Sequence, residues 1–393
     1  MTREIPAKQL EWLSAEVAAW QRDGIVDDDT ATAVLARYRA GRKASVLRLI
    51  SVLGAAFVGV GLISLVASNV DRMSPLLRFA GITAVWIGAV VVAEVLLRRD
   101  PTADDGHGTL GVGAARVIAV AAYGATVFQA AQSLQVPAYS SSLLGCWALG
   151  ALAYAYASRG IGPLVVGIVT LVGWFGWAVG ERGDSAAAVI VAVVAAAVVA
   201  TSVSAMHEGG PVAHFAPPWA YIGALLALGG LFAAAIPDAG EEPLTAAPTL
   251  IAVGAAVAVA GLATVRGSQQ VRLEVTASVG VLLATLLLLG WHPDDAGGRA
   301  TLSAAELTHA VVATALYLAA AVWCGVVGVS RERPQLTNLA TAALVIFVTV
   351  QSFGVFAPLF SGAALFLVLG VILIAVGALA DRGRRRLIEE VAE

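Results

Sequence analysis

The chain is a ladder of apolar segments, and positive charge sits on alternate sides of it. Runs close to the roughly 20 residues that cross a bilayer as a helix recur from end to end. About twelve spans are predicted: Val46–Ser68, Leu77–Leu97, Gly113–Leu134, Ser140–Ser158, Ile161–Gly180, Ala186–Met206, Trp219–Ile236, Thr249–Val265, Leu273–Trp291, Leu307–Val329, Leu336–Phe356 and Phe360–Ala380. The composition agrees. Of 393 residues, 59% are hydrophobic and 13% charged, against roughly 25% charged in a soluble domain. A soluble core of any size needs a polar coat that this chain does not have. The fold expected is all-α: a polytopic transmembrane helix bundle with a small helical hairpin before it.

The charges give the ladder a direction. With the N-terminus inside, Arg3, Lys8, Arg22, Arg37, Arg39, Arg42, Lys43 and Arg48 precede or edge the first span. Arg98, Arg99, Arg116, Arg159, Arg266, Arg272, Arg331 and Arg333 fall at even-numbered connections, and Arg382, Arg384, Arg385 and Arg386 in the tail. Only Arg72, Arg78, Arg182 and Arg299 fall on the odd side, a split of 20 to 4. Short cytoplasmic loops retain Lys and Arg, so both termini are expected in the cytoplasm. Dropping one span would move the Arg-rich tail outside. All connections are short, so any site must lie among the helices or at their ends.

Residues 1–44 read as a cytoplasmic amphipathic hairpin, residues 45–381 as the bundle and residues 382–393 as a charged tail. In the hairpin, Leu10, Leu13, Val17 and Trp20 form one stripe. Gly24 ends that helix, Asp27–Asp29 cap the next, and Ala31, Val34, Leu35 and Tyr38 line its face. The polar first forty residues do not read as a signal peptide. Self- or protein-association through residues 8–40 is the partner expectation here, beside the bilayer itself.

Several of these residues carry a resemblance. They are Trp20, Gly24 and Ile25, the glycine-rich stretch from Leu53 to Leu65, and Ala67-Ser68-Asn69-Val70-Asp71-Arg72 with Leu77-Arg78. Gln129 to Gln132 and Cys146-Trp147-Ala148-Leu149 complete them. Over roughly residues 8–160 the chain resembles the bacterial membrane-protein family known as domain of unknown function 2157. It departs at Val70, where that family usually has tryptophan. The resemblance implies a multi-pass protein of the bacterial inner membrane. It supplies no activity, so no catalytic residue is carried over.

The polar groups that merit attention are few. Asn69, Asp71, Arg72 and Arg78 crowd the first outer turn, where they can lock two spans or bind an anion or headgroup. Gln129, Gln132 and Gln135 recur at i, i+3 and i+6 near the outer end of the third span. Amides in lipid are costly unless partnered, so this face is expected to look into the bundle or a wet cavity. One outer pocket can include both groups. Glu94 and His309 are the ionisable residues most enclosed by apolar runs, a default reason to consider function. Locally, Glu94 is expected to pair with Arg98 one turn on, and His309 to meet water at a helix end. Cys146 and Cys324 read as small core residues. Trp174, Trp177, Trp219 and Trp291 suit an interfacial belt.

The function expected is transporter-like handling of a small molecule or lipid through the outer polar pocket. The alternative is a non-enzymatic scaffold or sensor that docks through the hairpin. A remoter one is a lipid-linked glycosyltransferase-type enzyme using Asp71, although its first outer loop is short and further carboxylates are missing. No catalytic residue, metal, cofactor or nucleic-acid partner is expected.

Overall fold

Alanine, valine and leucine dominate the apolar runs, and in lipid the backbone has only itself to hydrogen-bond, so each run closes into a helix. The structure is a computed model. It describes residues 3–5, 7–40, 54, 57, 61, 74–99, 110–137, 140–182, 185–236, 247–291 and 304–356. Among them are β1 (Arg3–Ile5), α1 (Ala7–Arg22), α2 (Asp28–Leu35), β2 (Tyr38–Ala40), α3 (Pro75–Arg99) and α4 (Leu110–Ser133). There follow α5 (Ser141–Ser158), α6 (Ile161–Arg182), α7 (Ala186–His207), α8 (Ala216–Ala234), α9 (Ala247–Arg266), α10 (Gln269–Gly290), α11 (Ala304–Ser330) and α12 (Pro334–Phe356). Helices α3 to α12 coincide with the second to eleventh expected spans. Most of the first span, the last span, the junction near residue 44 and the tail lie outside the described residues. Eight of the described helices are long and apolar enough to cross a membrane, and α9 contributes a shorter apolar run, Thr249–Val265. The protein is a polytopic helical bundle.

The chain divides into two compact units, Met1–Ser133 and Leu134–Glu393. In the first, Asp27 caps α2 by accepting from the Thr30 amide at 2.8 Å. Hydrogen bonding from the Thr30 side chain, and after it from the Thr30 amide, holds the Asp27 carboxyl below its usual value. Gly24 turns the chain at φ 70°, and Val17 of α1 and Ala31 of α2 are buried. Tyr38 is not on the α2 stripe as expected. The helix stops at Leu35, and Tyr38 begins β2, which pairs in parallel with β1 in the register Arg3↔Tyr38 to Ile5↔Ala40. The pairing gives both segments backbone partners that a frayed last turn would lack.

Helices α3 and α4 form an antiparallel pair. Leu96 lies opposite Gly111, Glu94 opposite Arg116 and Trp86 against Tyr123, with ring centroids 5.1 Å apart. The outer side of α3 exposes Leu76, Leu77, Ile87, Val91 and Val92, an apolar face suited to lipid.

In the second unit α7 is the hub. It packs against α8, α9 and α10 and is the most enclosed of the candidate spans. Its sequence explains this: alanines on nearly every side let neighbouring backbones approach. A Cβ at Gly223 of α8 would lie 2.7 Å from Thr201 Oγ1 and 3.0 Å from the Thr201 amide, and one at Gly230 would collide with Val194. Serines cap the helix starts, Ser185 accepting from Ala188 N at 3.1 Å and Ser268 from Val271 N at 3.4 Å. Tyr317 of α11 stacks on Phe347 of α12 at 3.8 Å, and both meet Phe232 of α8 edge-on. Trp219 is buried with Leu164 and Phe215 and is a core residue, not part of an interfacial belt. Cys146 is exposed rather than in a core.

Candidate functional site

In the first unit, Arg78 and Gln129 are the candidates that the structure describes in detail, because Asn69, Asp71 and Arg72 lie outside the described residues. Arg78 sits in the first turn of α3, where its amide donates to the Ser74 carbonyl at 3.1 Å. Its Nε is buried and has no acceptor among the described residues. Gln129, in the last turns of α4, is buried as well. The antiparallel facing pairs place the start of α3 level with the Gln129–Ser133 turn, so Arg78 and Gln129 share one end of the pair. Gln132 is exposed. The expected run of three amides along one helical face stops short. The Ser133 hydroxyl turns back to the Gln129 carbonyl at 3.0 Å, α4 ends there, and Gln135 takes a left-handed φ of 56°. Pro137 comes two residues later and disfavours helix at Val136.

Glu94 does not pair with Arg98. It faces Arg116 across the helix pair at 3.8 Å, while Arg98 is exposed. Burial decides this: Arg116 is 5% exposed and needs a counter-charge that Arg98, in solvent, does not. His309 of α11 does not meet water either. It is buried, its Nε2 lies 3.3 Å from the Leu288 carbonyl of α10, and its ring packs edge-on against Trp291 at 5.7 Å. That contact gives it a structural part, capping the end of α10.

The second unit holds a charge cluster whose members stand in the sequence as separate charges in connections or, for Glu274, at the start of a span. Glu208, just after α7, accepts from Arg331 Nη1 at 2.7 Å and from Arg333 Nη2 at 3.2 Å. Glu274, in the second turn of α10, accepts from Arg331 Nε at 2.7 Å. Three segments therefore meet in one network: the end of α7, the start of α10 and the turn between α11 and α12. The four side chains are mostly buried. Removing one partner from such a network typically costs about 3–5 kcal/mol, because the other charge is left uncompensated. Burial pushes the Glu208 carboxyl up, against the pull of Arg331. Nearby, Tyr156 Oη and His207 Nε2 are 2.9 Å apart, and His214 Nε2 lies 3.0 Å from the Arg159 carbonyl. A signal was present. Glu208, Glu274 and the Arg331–Arg333 pair stand at consecutive even-numbered connections, where opposite charges at one membrane side can meet. Among the described residues no group of three His, Cys, Asp or Glu is arranged to hold a metal ion.

Residues 18–163 match the family model described as Predicted membrane protein (DUF2157). That stretch covers α2 to α5 and most of the region whose motifs carry the resemblance. No curated protein matches the chain, and no solved structure does.

Proposed function

We propose that this membrane protein handles a small molecule or lipid in a transporter-like manner, through a polar site at the outer end of its first helices. The observation that carries the reading is Arg78: a guanidinium whose buried Nε has no acceptor among the described residues, at the same end of the α3–α4 pair as the buried amide of Gln129. A donor in that position favours a ligand that brings oxygen acceptors and negative charge, as a lipid phosphate does. Asn69, Asp71 and Arg72 adjoin it in sequence, and Gln132 and Gln135 extend the polar stretch. The charge ladder supports a bacterial inner-membrane location with both ends in the cytoplasm, which puts this turn on the outer face.

The test is movement of fluorescent phosphatidylglycerol across proteoliposomes of the full chain, read by dithionite quenching. R78Q and Q129L are expected to slow it about tenfold, the equivalent of one lost charge-assisted contact. Wild-type liposomes that behave as empty ones, and retain no added phosphatidylglycerol after detergent extraction, would overturn the reading. A docking role is the second reading, favoured by Trp12 and Ile25, which stand 60% and 68% exposed on the hairpin. Protein that moves no lipid but loses self-association or vesicle-surface binding in W12S/I25S would favour it.

A further inference from the structure

Glu208 is spanned by two guanidinium groups, one on each carboxylate oxygen: Arg331 Nη1 on Oε2 at 2.7 Å and Arg333 Nη2 on Oε1 at 3.2 Å. Two forked donors converging on one oxyanion is how proteins receive phosphate and carboxylate ligands. Here the seat is filled by the chain's own side chain, and the fit is incomplete. Arg331 Nη2 and Arg333 Nη1 are buried and have no acceptor among the described residues. A carboxylate brings two oxygens to this pair, whereas a tetrahedral oxyanion brings more and could meet the remaining donors. We propose that Arg331 and Arg333 form a binding site for a phosphate-type oxyanion, free or borne on a lipid headgroup, and that Glu208 occupies the seat when the ligand is absent.

The surrounding structure holds the arginine turn in place and gives Arg331 a second carboxylate partner. The arginine turn is pinned by its backbone, with Arg331 N donating to Val327 O at 3.0 Å and Arg333 N to Gly328 O at 2.7 Å. Arg331 keeps a second anchor, Glu274, inside α10, which would go on orienting it once Glu208 left. Glu208 is the C-cap of α7, its amide donating to the Ala205 carbonyl at 3.3 Å, so leaving the seat is a rotation of its side chain and needs no movement of the backbone. Charge works in the same direction. With Glu208 ionised, two arginines face two glutamates; with it neutral, the cluster is positive. Burial already raises the Glu208 carboxyl, and Glu274 adds to this. The groups around it are Arg331 and Arg333 from the α11–α12 turn, Glu274 from α10 and its neighbour His207. The imidazole of His207 is engaged elsewhere, by Tyr156 Oη and the Val203 carbonyl.

The experiment measures binding of inorganic phosphate to the purified full chain by equilibrium dialysis, and retention of phosphatidylglycerol in nanodiscs by native mass spectrometry. E208Q, which removes the competing charge, is expected to bind about tenfold more tightly than wild type. E208Q/R333Q is expected to lose that gain, and E208Q/R333K to keep only part of it, since lysine lacks the fork. A gain with inorganic phosphate identifies a free anion as the ligand, and a gain with phosphatidylglycerol alone identifies the headgroup; both support the site. No gain with either probe, or a gain that survives R333Q, overturns it. If E208Q does not fold, binding of sulfate to wild type decides, because sulfate keeps its charge over the range concerned. Binding should strengthen as pH falls from neutral toward the usual glutamate range, and a flat profile overturns the proposal.

Discussion

Arg116 is almost wholly buried, whereas the Glu94 side chain facing it is 43% exposed. Solvent screens an exposed pair, so their direct attraction is worth about 0–1 kcal/mol. Loss of the counter-charge at Arg116 weighs more, since a buried charged donor left unmatched costs about 1–3 kcal/mol. E94Q is therefore expected to lower the thermal unfolding midpoint of the detergent-solubilised chain, whereas R98Q, at an exposed position, should stay within about 0.5 kcal/mol of wild type. E94L/R116M, which removes both charges together, should be more stable than E94L with Arg116 retained. Equal losses in E94Q and R98Q would restore the one-turn pairing with Arg98. The sequence offers that local partner because i, i+4 neighbours are visible in one dimension. Arg116 becomes a neighbour only through the register of two antiparallel helices, which no spacing rule encodes. The cluster at Glu208 is hidden in the sequence for the same reason: its four members are separated by whole helices.

Between elements, α7 against α8 is one of the close fits. At Gly223 a Cβ would meet the backbone amide of Thr201 at 3.0 Å and the Ala197 carbonyl at 3.2 Å, and backbone cannot rotate away as a side chain can. Overpacking of this kind typically costs about 1–3 kcal/mol. G223A should accordingly lower the unfolding midpoint, and G229A, on the same helix with open space around its Cβ position, should not. Equal tolerance of the two would mean that α7 and α8 are not in this contact. Helix positions were legible because length and hydropathy are properties of a single segment, and α3 to α12 track the apolar runs closely. Helix contacts were not. Gly176 and Gly180 have the spacing associated with close packing, yet neither has a neighbour at its Cβ position, while Gly223 and Gly230 carry the contact. With 41 glycines in the chain, small-residue spacing discriminates little. The ends of elements were also obscured. At Gln135 and Tyr38 the apolar pattern runs on, but a turn or a strand pairing takes over.

At the scale of the molecule, contacts inside the second unit bear on the alternation that the charge ladder implies. One end gathers Arg159 with His214, Tyr156 with His207, and Glu208 and Glu274 with Arg331. All of these come from even-numbered connections or the turns beside them. The other end gathers Ser141 with Glu181 at 2.8 Å, Thr249 with the Ala188 carbonyl, and His309 with the Leu288 carbonyl. All of those come from the odd side. Eight consecutive helices, α5 to α12, thus run up and down in turn, and dropping or adding one would tear apart pairs that the structure joins. What the contacts leave to the arginines is which end faces the cytoplasm, and there the positive-inside bias is the only force at hand. Alkaline phosphatase fused after Arg182 is expected to be active, and after Gly209 or Arg333 inactive, because the enzyme matures only in an oxidising compartment. The reversed pattern would keep the alternation and refute the orientation. It would also carry the arginine pair at Glu208 to the outer face, so that only oxyanions outside the cell could reach it. The same activity after Arg182 and Gly209 would mean that α7 does not cross the membrane, and the bundle built around it would fail with it.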